Sequence, residues 1–369
     1  MPTSPFHLRC RICNQPVDWP PPGARCPRPS CRGALQPRRN ILFDPTLIEP
    51  AELGMWRYRH LLPPLPDNPI TLGEGGTPLL PFRNGDLHLF LKNESLNPTG
   101  SYKDRGAAML INSIGAARLV IDDSSGNAGA ALAAYAARAG VRARIYTPAA
   151  APASKQAQIS RYGAELAAVP GDRSAVTAAA EEAATEPGVF YASHVWHPGY
   201  ALAMQTLAWE IWEQLGRRAP HWVVLPVGNG SLLRGLRWGF RSLQKGRLIR
   251  ELPRLVAAQA AACAPLLAYS RGEYQPHTFQ AGPTLADGVA IPHPPLIEAM
   301  AAAVRKTNGQ VIAVPEEEIL PAQDALARSG IFIEPTAALA FAALRHLAPA
   351  IAPDHTVVAI LTGHGYKTL

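Results

Sequence analysis

From about residue 86 to the end of the chain, short apolar runs alternate with alanine-rich helical stretches. This alternation constrains the fold more than any other feature. Strand-length runs stand at Leu87–Leu91, Arg118–Ile121, Arg142–Tyr146, Glu165–Val169 and Val189–Tyr191. Between them, helices are predicted over Lys103–Ile114, Asn127–Arg138, Ala153–Tyr162 and Ser174–Ala184. A second run opens with a helix predicted over Tyr200–Leu215. Strands follow at Trp222–Pro226, Arg254–Gln259, Val311–Val314 and Thr356–Leu361, with helices over 316–329 and 336–347. Residues 265–300 are rich in Gly and Pro and read as an irregular region near a site. Strand–helix alternation of this kind implies a mostly parallel sheet with helices on both faces. Alanine suits such helices, because it is the best helix former and its small side chain permits close approach to a sheet.

A chain of 369 residues exceeds one ordinary core and fits two α/β domains with an appendage. Hydrophobic residues make up 47% and charged residues 17%, which excludes global disorder. The boundaries read as an N-terminal module over 1–45, a proline-rich connector over 46–85, a smaller α/β domain over 86–198 and a larger one over 199–369. The net charge of +7 comes from scattered arginines, with Arg38-Arg39 the densest run. That is a generally basic surface or a site for anionic ligands, and no nucleic-acid partner is expected from it. No apolar leader precedes Cys10 and no segment is long enough to span a bilayer, so a soluble cytoplasmic protein is expected.

Four of the five cysteines lie in the first 31 residues, as Cys10-x2-Cys13-x12-Cys26-x4-Cys31. In a cytosolic chain this spacing argues for a metal rather than disulfides. The module holds few large apolar residues, and a metal would supply the stability that its core lacks. Cys263 stands apart and reads as a small buried hydrophobe.

Three glycine- and serine-rich loops end predicted strands, at Ser124–Gly129, Gly228–Ser231 and Thr362–Gly365. In open parallel sheets, ligands bind beyond the carboxyl ends of the strands. Asn97-Pro98-Thr99-Gly100 is a turn, after which Ser101 is placed to cap a helix and Lys103 falls in its first turn. The positive end of the helix dipole disfavours an ammonium there and favours the neutral amine that condenses with a carbonyl. A solvated surface lysine would read the same way from spacing alone.

The run Lys92-Asn93-Glu94-Ser95-Leu96-Asn97-Pro98-Thr99-Gly100-Ser101-Tyr102-Lys103-Asp104-Arg105 resembles the pyridoxal-5′-phosphate (PLP) lysine motif of fold-type II PLP enzymes, especially the threonine synthase family. Ser124-Ser125-Gly126-Asn127-Ala128-Gly129, Val227-Gly228-Asn229-Gly230-Ser231-Leu232 and Leu361-Thr362-Gly363-His364-Gly365-Tyr366-Lys367 match further family segments in order. So do Leu285-Ala286-Asp287-Gly288 and Ile333-Glu334-Pro335-Thr336-Ala337-Ala338. The resemblance implies a tryptophan synthase β-like fold of two doubly wound domains and a lyase that carries PLP on Lys103. It implies that Asn127 meets the ring hydroxyl, that Gly228, Asn229, Gly230, Ser231 and Leu232 hold the cofactor phosphate, and that Thr362 meets the pyridine nitrogen. Ser124, Ser125, Gly126, Asn127 and Ala128 would take the substrate carboxylate, while His364 reads as a structural part of its turn. The cysteine spacing is similar to the zinc ribbon that precedes many bacterial and archaeal threonine synthases, which implies zinc on Cys10, Cys13, Cys26 and Cys31. A homodimer is implied as well.

The implied activity is conversion of O-phosphohomoserine to threonine and phosphate. The family grips that phosphate partly through a segment like Asn-Pro-Tyr-Arg-x-Glu-Gly-Gln-Lys-Thr, matched here by His197–Thr206. Tyr200 stands at its Arg, Leu202 at its Glu and Gln205 at its Lys. Each charge-assisted hydrogen bond lost to a dianion is worth about 1.5–3 kcal/mol. Lys155, His194 or nearby arginines are the candidates to compensate. A second reading is therefore a paralogue that eliminates or replaces at Cβ of serine, threonine or phosphoserine. A third is a non-catalytic PLP-fold protein or zinc-ribbon interaction module, which conflicts with an intact Lys103 and its three loops.

Overall fold

The structure is a computed structural model that describes residues 6–38, 42–150 and 153–369; Arg39 of the basic run lies outside them. In chain order it begins with strands β1 (His7–Cys10), β2 (Pro16–Asp18) and β3 (Leu35–Pro37). A hairpin of β4 (Leu79–Asn84) and β5 (Leu87–Asn93) follows, then helix α1 (Lys103–Ile111). Next come β6 (Leu119–Asp122), α2 (Asn127–Ala139), β7 (Arg142–Pro148), α3 (Ala153–Arg161), β8 (Glu165–Val169), α4 (Arg173–Ala183) and β9 (Val189–Tyr191). Two helices, α5 (Pro198–Ala203) and α6 (Gln205–Gln214), precede β10 (Trp222–Pro226), α7 (Ser231–Lys245) and β11 (Arg254–Ala260). The chain ends with α8 (Pro265–Ser270), α9 (Ile297–Arg305), β12 (Gln310–Val314), α10 (Glu316–Arg328), α11 (Pro335–Leu347) and β13 (Thr356–Leu361).

These elements form two compact units, Met1–Gly75 with Lys103–Ala203, and Gly76–Tyr102 with Met204–Leu369. In the first, a parallel sheet has the order β8-β7-β6-β9. Helix α2 is rich in alanine and buries Ala128 to Ala136, which lets it lie against β7 and α1. Val176 and Ala180 of α4 pack with Ile121 and Tyr146 of the sheet. The cysteine module adds a small antiparallel sheet of order β2-β1-β3.

The second unit has a six-stranded sheet of order β12-β11-β10-β13-β5-β4, parallel except for β4. Val224, Val256 and Ala359 are fully buried, as expected of strands covered on both faces. Ala337, Ala338 and Ala340 of α11 belong to the same core.

Several sequence expectations need correction. The sequence assigns residues 86–102 to the smaller domain, but β5 pairs with β13 from Thr356↔His88 to Leu361↔Asn93, because Leu89 and Leu91 find their apolar partners in the larger sheet. The connector expected over 46–85 contains β4, turned onto β5 with Gly85 at φ +59°. The helix expected over Tyr200–Leu215 is two helices that meet at Met204, where one unit gives way to the other. The irregular region over 265–300 also contains α8 and the start of α9.

Candidate active site and cysteine module

Lys103 opens α1 and is half-buried. Every later residue of that helix, from Asp104 to Ile111, is buried. The Lys103 Nζ lies 5.7 Å from the centroid of the Tyr200 ring, a cation–π distance. The Tyr200 hydroxyl donates to the Lys103 carbonyl at 3.2 Å. Gly106 makes room for that ring, since a Cβ there would fall 2.5 Å from it. Tyr200 and Leu202, at positions the family charges, are 2% and 0% exposed.

The loop Ser124–Gly126 joins β6 to α2 in the same unit. It folds tightly onto the first turn of α2, because a Cβ on Gly129 would lie 1.9 Å from the Ser124 carbonyl oxygen. Gly126 caps α2 without a side chain, which leaves helix-terminal N–H groups to an anion. Asn127 and Ala128 are the first residues of that helix. Next to the loop, Asp122, Asp123 and His194 are all buried. His194 Nδ1 lies 3.2 Å from both Asp122 carboxylate oxygens, so it is already engaged and is a poor substitute for a lost cation. Burial pushes the Asp123 carboxyl up, but Arg173, His194 and Thr177 together hold it below its usual range. The side chain of Lys155 lies outside the described residues.

In the second unit, Gly228-Asn229-Gly230 leads β10 into α7, and Ser231 and Leu232 open that helix. Gly230 has φ +78° and its Cβ would fall 2.2 Å from Met300 Sδ. A Cβ on Gly228 would lie 3.2 Å from the Gly288 carbonyl. Gly230 requires glycine on both counts, Gly228 leaves a Cβ little room, and α7 begins without a side-chain cap. A small anion is what such a helix start accepts.

Thr362 follows β13 and is 3% exposed, and its Oγ1 makes no hydrogen bond among the described residues. Its carbonyl accepts from the Tyr102 N–H at 3.0 Å, and Ser101 bridges to Gly363. The Ser101 Oγ is also buried and without a partner among the described residues. Ser101 is therefore not the helix cap that the sequence led us to expect. A buried hydroxyl without a partner costs about 1–3 kcal/mol, so two on adjoining segments fit a polar group supplied by a ligand. The glycine-lined turn and these hydroxyls fit a phosphate-bearing aromatic cofactor.

Other residues of the lysine motif are architectural. Lys92 Nζ donates to Glu210 Oε2 at 2.8 Å, to the Thr77 carbonyl at 2.6 Å and to Gln214 Oε1 at 2.9 Å. Glu94 accepts from Thr77 Oγ1 and, at 3.0 Å, from Asn97 Nδ2, whose amide also donates to the Glu94 carbonyl at 2.8 Å. His364 Nδ1 accepts from the Tyr366 N–H at 3.2 Å, the turn role expected of it.

In the cysteine module, all four sulphurs lie within 4.8 Å of one another. Cys10 and Cys31 are 3.5 Å apart and Cys13 and Cys26 are 3.7 Å apart. Tetrahedral zinc with bonds of about 2.3 Å needs sulphurs about 3.8 Å apart, and these residues fit it. The Gln15 backbone amide draws the Cys13 thiol down to about 6, whereas burial pushes Cys26 up to about 12. Four such thiols do not ionise together unless a cation gathers their charge.

The model for "Pyridoxal-phosphate dependent enzyme" matches residues 70–363. The chain belongs to that family, and within it to the threonine synthase-like members. It is 34% identical over 330 residues to a threonine synthase of Methanocaldococcus jannaschii, covering 86% of this chain and 81% of that one. A threonine synthase of Synechocystis sp. is 37% identical over 351 residues, covering 90% and 89%. A solved threonine deaminase from T.th. superposes with a TM-score of 0.67 at 26% identity, covering 78% of this chain and 92% of that one. A cysteine synthase of Entamoeba histolytica, at 20% identity and a TM-score of 0.65 over 79% and 86%, shares the fold. Among the described residues, no helix is long and apolar enough to cross a membrane.

Proposed function

We propose that this enzyme converts O-phosphohomoserine into threonine and phosphate, with Lys103 as its cofactor lysine. The threonine synthase relatives support the substrate. The observation that carries the site is the buried hydroxyl of Thr362, which has no partner among the described residues. Gly228, Asn229, Gly230, Ser231 and Leu232 would hold the cofactor phosphate on the uncapped start of α7, Asn127 its ring hydroxyl and Thr362 its ring nitrogen. When bound, PLP withdraws electrons from the substrate's α-carbon. Ser124, Ser125, Gly126, Asn127 and Ala128 bind the substrate carboxylate at the uncapped start of α2. The Lys103 amine would take the proton from the substrate's α-carbon and later return it there, and would carry a proton from Cβ to Cγ as phosphate leaves Cγ and water adds its hydroxyl at Cβ. Thr362 would offer the ring nitrogen a neutral hydroxyl in place of a carboxylate, which would leave the ring a weaker electron sink.

Tyr200, Leu202 and Gln205 carry no positive charge, so the substrate phosphate needs cations from elsewhere in the chain. A second reading rests on the burial of Tyr200 and Leu202: elimination or replacement at Cβ of a smaller amino acid. One assay separates the two. PLP-loaded protein mixed with O-phosphohomoserine should release phosphate and form threonine in equal amounts. No release from loaded protein, with turnover of serine or phosphoserine instead, selects the second reading. Lys103→Ala should lower turnover by at least about a thousandfold in either case; retained turnover removes Lys103 from the chemistry.

We extend the proposal to zinc on Cys10, Cys13, Cys26 and Cys31, supported by the sulphur spacing. Mass spectrometry under native conditions should find one zinc per chain. A metal-free mass with four freely alkylated thiols would reject it. The dimer implied by the resemblance belongs to the same proposal.

A further inference from the structure

Trp19 directly follows β2 in the cysteine module. Its indole N–H donates to the Pro64 carbonyl at 2.8 Å, and its ring meets His197 edge-on at 6.0 Å between centroids. A Cβ on Gly199 would fall 3.0 Å from the indole Cη2, so the ring sits directly on the Gly199 backbone. Beside it, the Arg25 guanidinium lies 3.8 Å from the centre of the Trp196 ring and pairs with Glu181 at 2.8 Å. The module therefore holds residues 196–199, which lead into α5, at two points. Within that stretch His197 Nδ1 accepts from the Gly199 N–H at 3.2 Å. The next residue is Tyr200, bonded to the Lys103 carbonyl and fitted against Gly106. The contacts run without a break from Trp19 through Gly199 and Tyr200 to Lys103.

We propose that Trp19 is a positioning residue for Lys103, acting through the backbone of Gly199 and the side chain of Tyr200. This rests on the reading of Lys103 as the cofactor lysine. A close-packed contact chain transmits displacement, because protein interiors have no slack to absorb it. A misplacement of about 1 Å at a reacting group can cost about a hundredfold in rate. The module is then part of the machinery that aims the amine, in addition to being an appended metal-binding piece.

The test uses the full PLP-loaded chain with Trp19→Leu, Trp19→Phe and Tyr200→Phe. Borohydride reduction followed by peptide mass mapping first locates the cofactor attachment. The pH midpoint of the visible absorption of the lysine-linked cofactor is then measured, with kcat and KM read separately on whichever substrate turns over. We expect Trp19→Leu to move the midpoint by about half a pH unit and to lower kcat about tenfold with KM nearly unchanged. Trp19→Phe should restore both. Tyr200→Phe removes the bond to the Lys103 carbonyl without touching the module, and should reproduce the shift even if Trp19→Leu fails to fold. Attachment at another lysine would overturn the functional reading and this inference together. Attachment at Lys103, with midpoint and kcat unmoved in Tyr200→Phe and in every folded Trp19 variant, would overturn this inference alone.

Discussion

His197 is 1% exposed, and its Nε2 has no hydrogen-bond partner among the described residues. Its Nδ1 accepts from Gly199, so the ring is held neutral with the proton on Nε2. Burial pushes its pKa from an ordinary 6.5 down to about 3. Between those values the unfolded chain binds a proton that the folded chain refuses. Stability from this residue is therefore full above pH 6.5 and falls as pH drops toward 3, by about 1.4 kcal/mol per pH unit. Denaturant unfolding of wild type and His197→Asn between pH 7 and 5 should show a steeper acid loss in wild type; parallel curves would reject the assignment. The sequence alone showed His197 only at the Asn position of a family segment. Its contact with Trp19, 178 residues earlier in the chain, is a product of folding that no local pattern encodes.

At the scale of elements, the lysine motif divides into two jobs. Lys103 stands at the start of a helix, as its spacing predicted. Lys92, equally prominent in the sequence, ties β5 to α6, while Glu94 and Asn97 bond to each other in the turn that follows β5, with Thr77 donating to Glu94. Removing one partner of a buried ion pair leaves a charge without compensation and costs about 3–5 kcal/mol. Lys92→Met should lose about that much stability, and pairing it with Glu210→Leu should recover a large part, measured by urea unfolding of the single and double variants. If the double variant is as unstable as the sum of the singles, the pair does not act as a unit. The loops at Ser124 and Gly228 were legible because glycine and small polar residues at a strand-to-helix turn have few other uses. Tyr200 was legible only as a departure from the family pattern. Its place against Gly106 and the Lys103 carbonyl depends on α5 packing beside α1.

For the molecule as a whole, the net charge of +7 draws an anionic substrate more strongly than a neutral one. If O-phosphohomoserine is the substrate, raising the ionic strength from about 0.02 M to 0.2 M should lower kcat/KM about threefold. A flat profile would point to a neutral amino acid.

The sequence by itself determined the α/β class, most strand positions and the cofactor-family motifs. Each of these depends on local periodicity, turn chemistry or a contiguous run of residues. Tertiary structure alone decided that the units are discontinuous, with β4 and β5 joining the sheet of residues 204–369. It also decided that Ser101 pairs with Gly363 beside Thr362, with both hydroxyls buried and without a partner among the described residues. Strand partners far apart in the chain are chosen by complementary burial, as when Leu89 and Leu91 lie beside Val357 and Ala359. A strand's own sequence states that it needs such a neighbour, but only the packing of the whole chain selects which one.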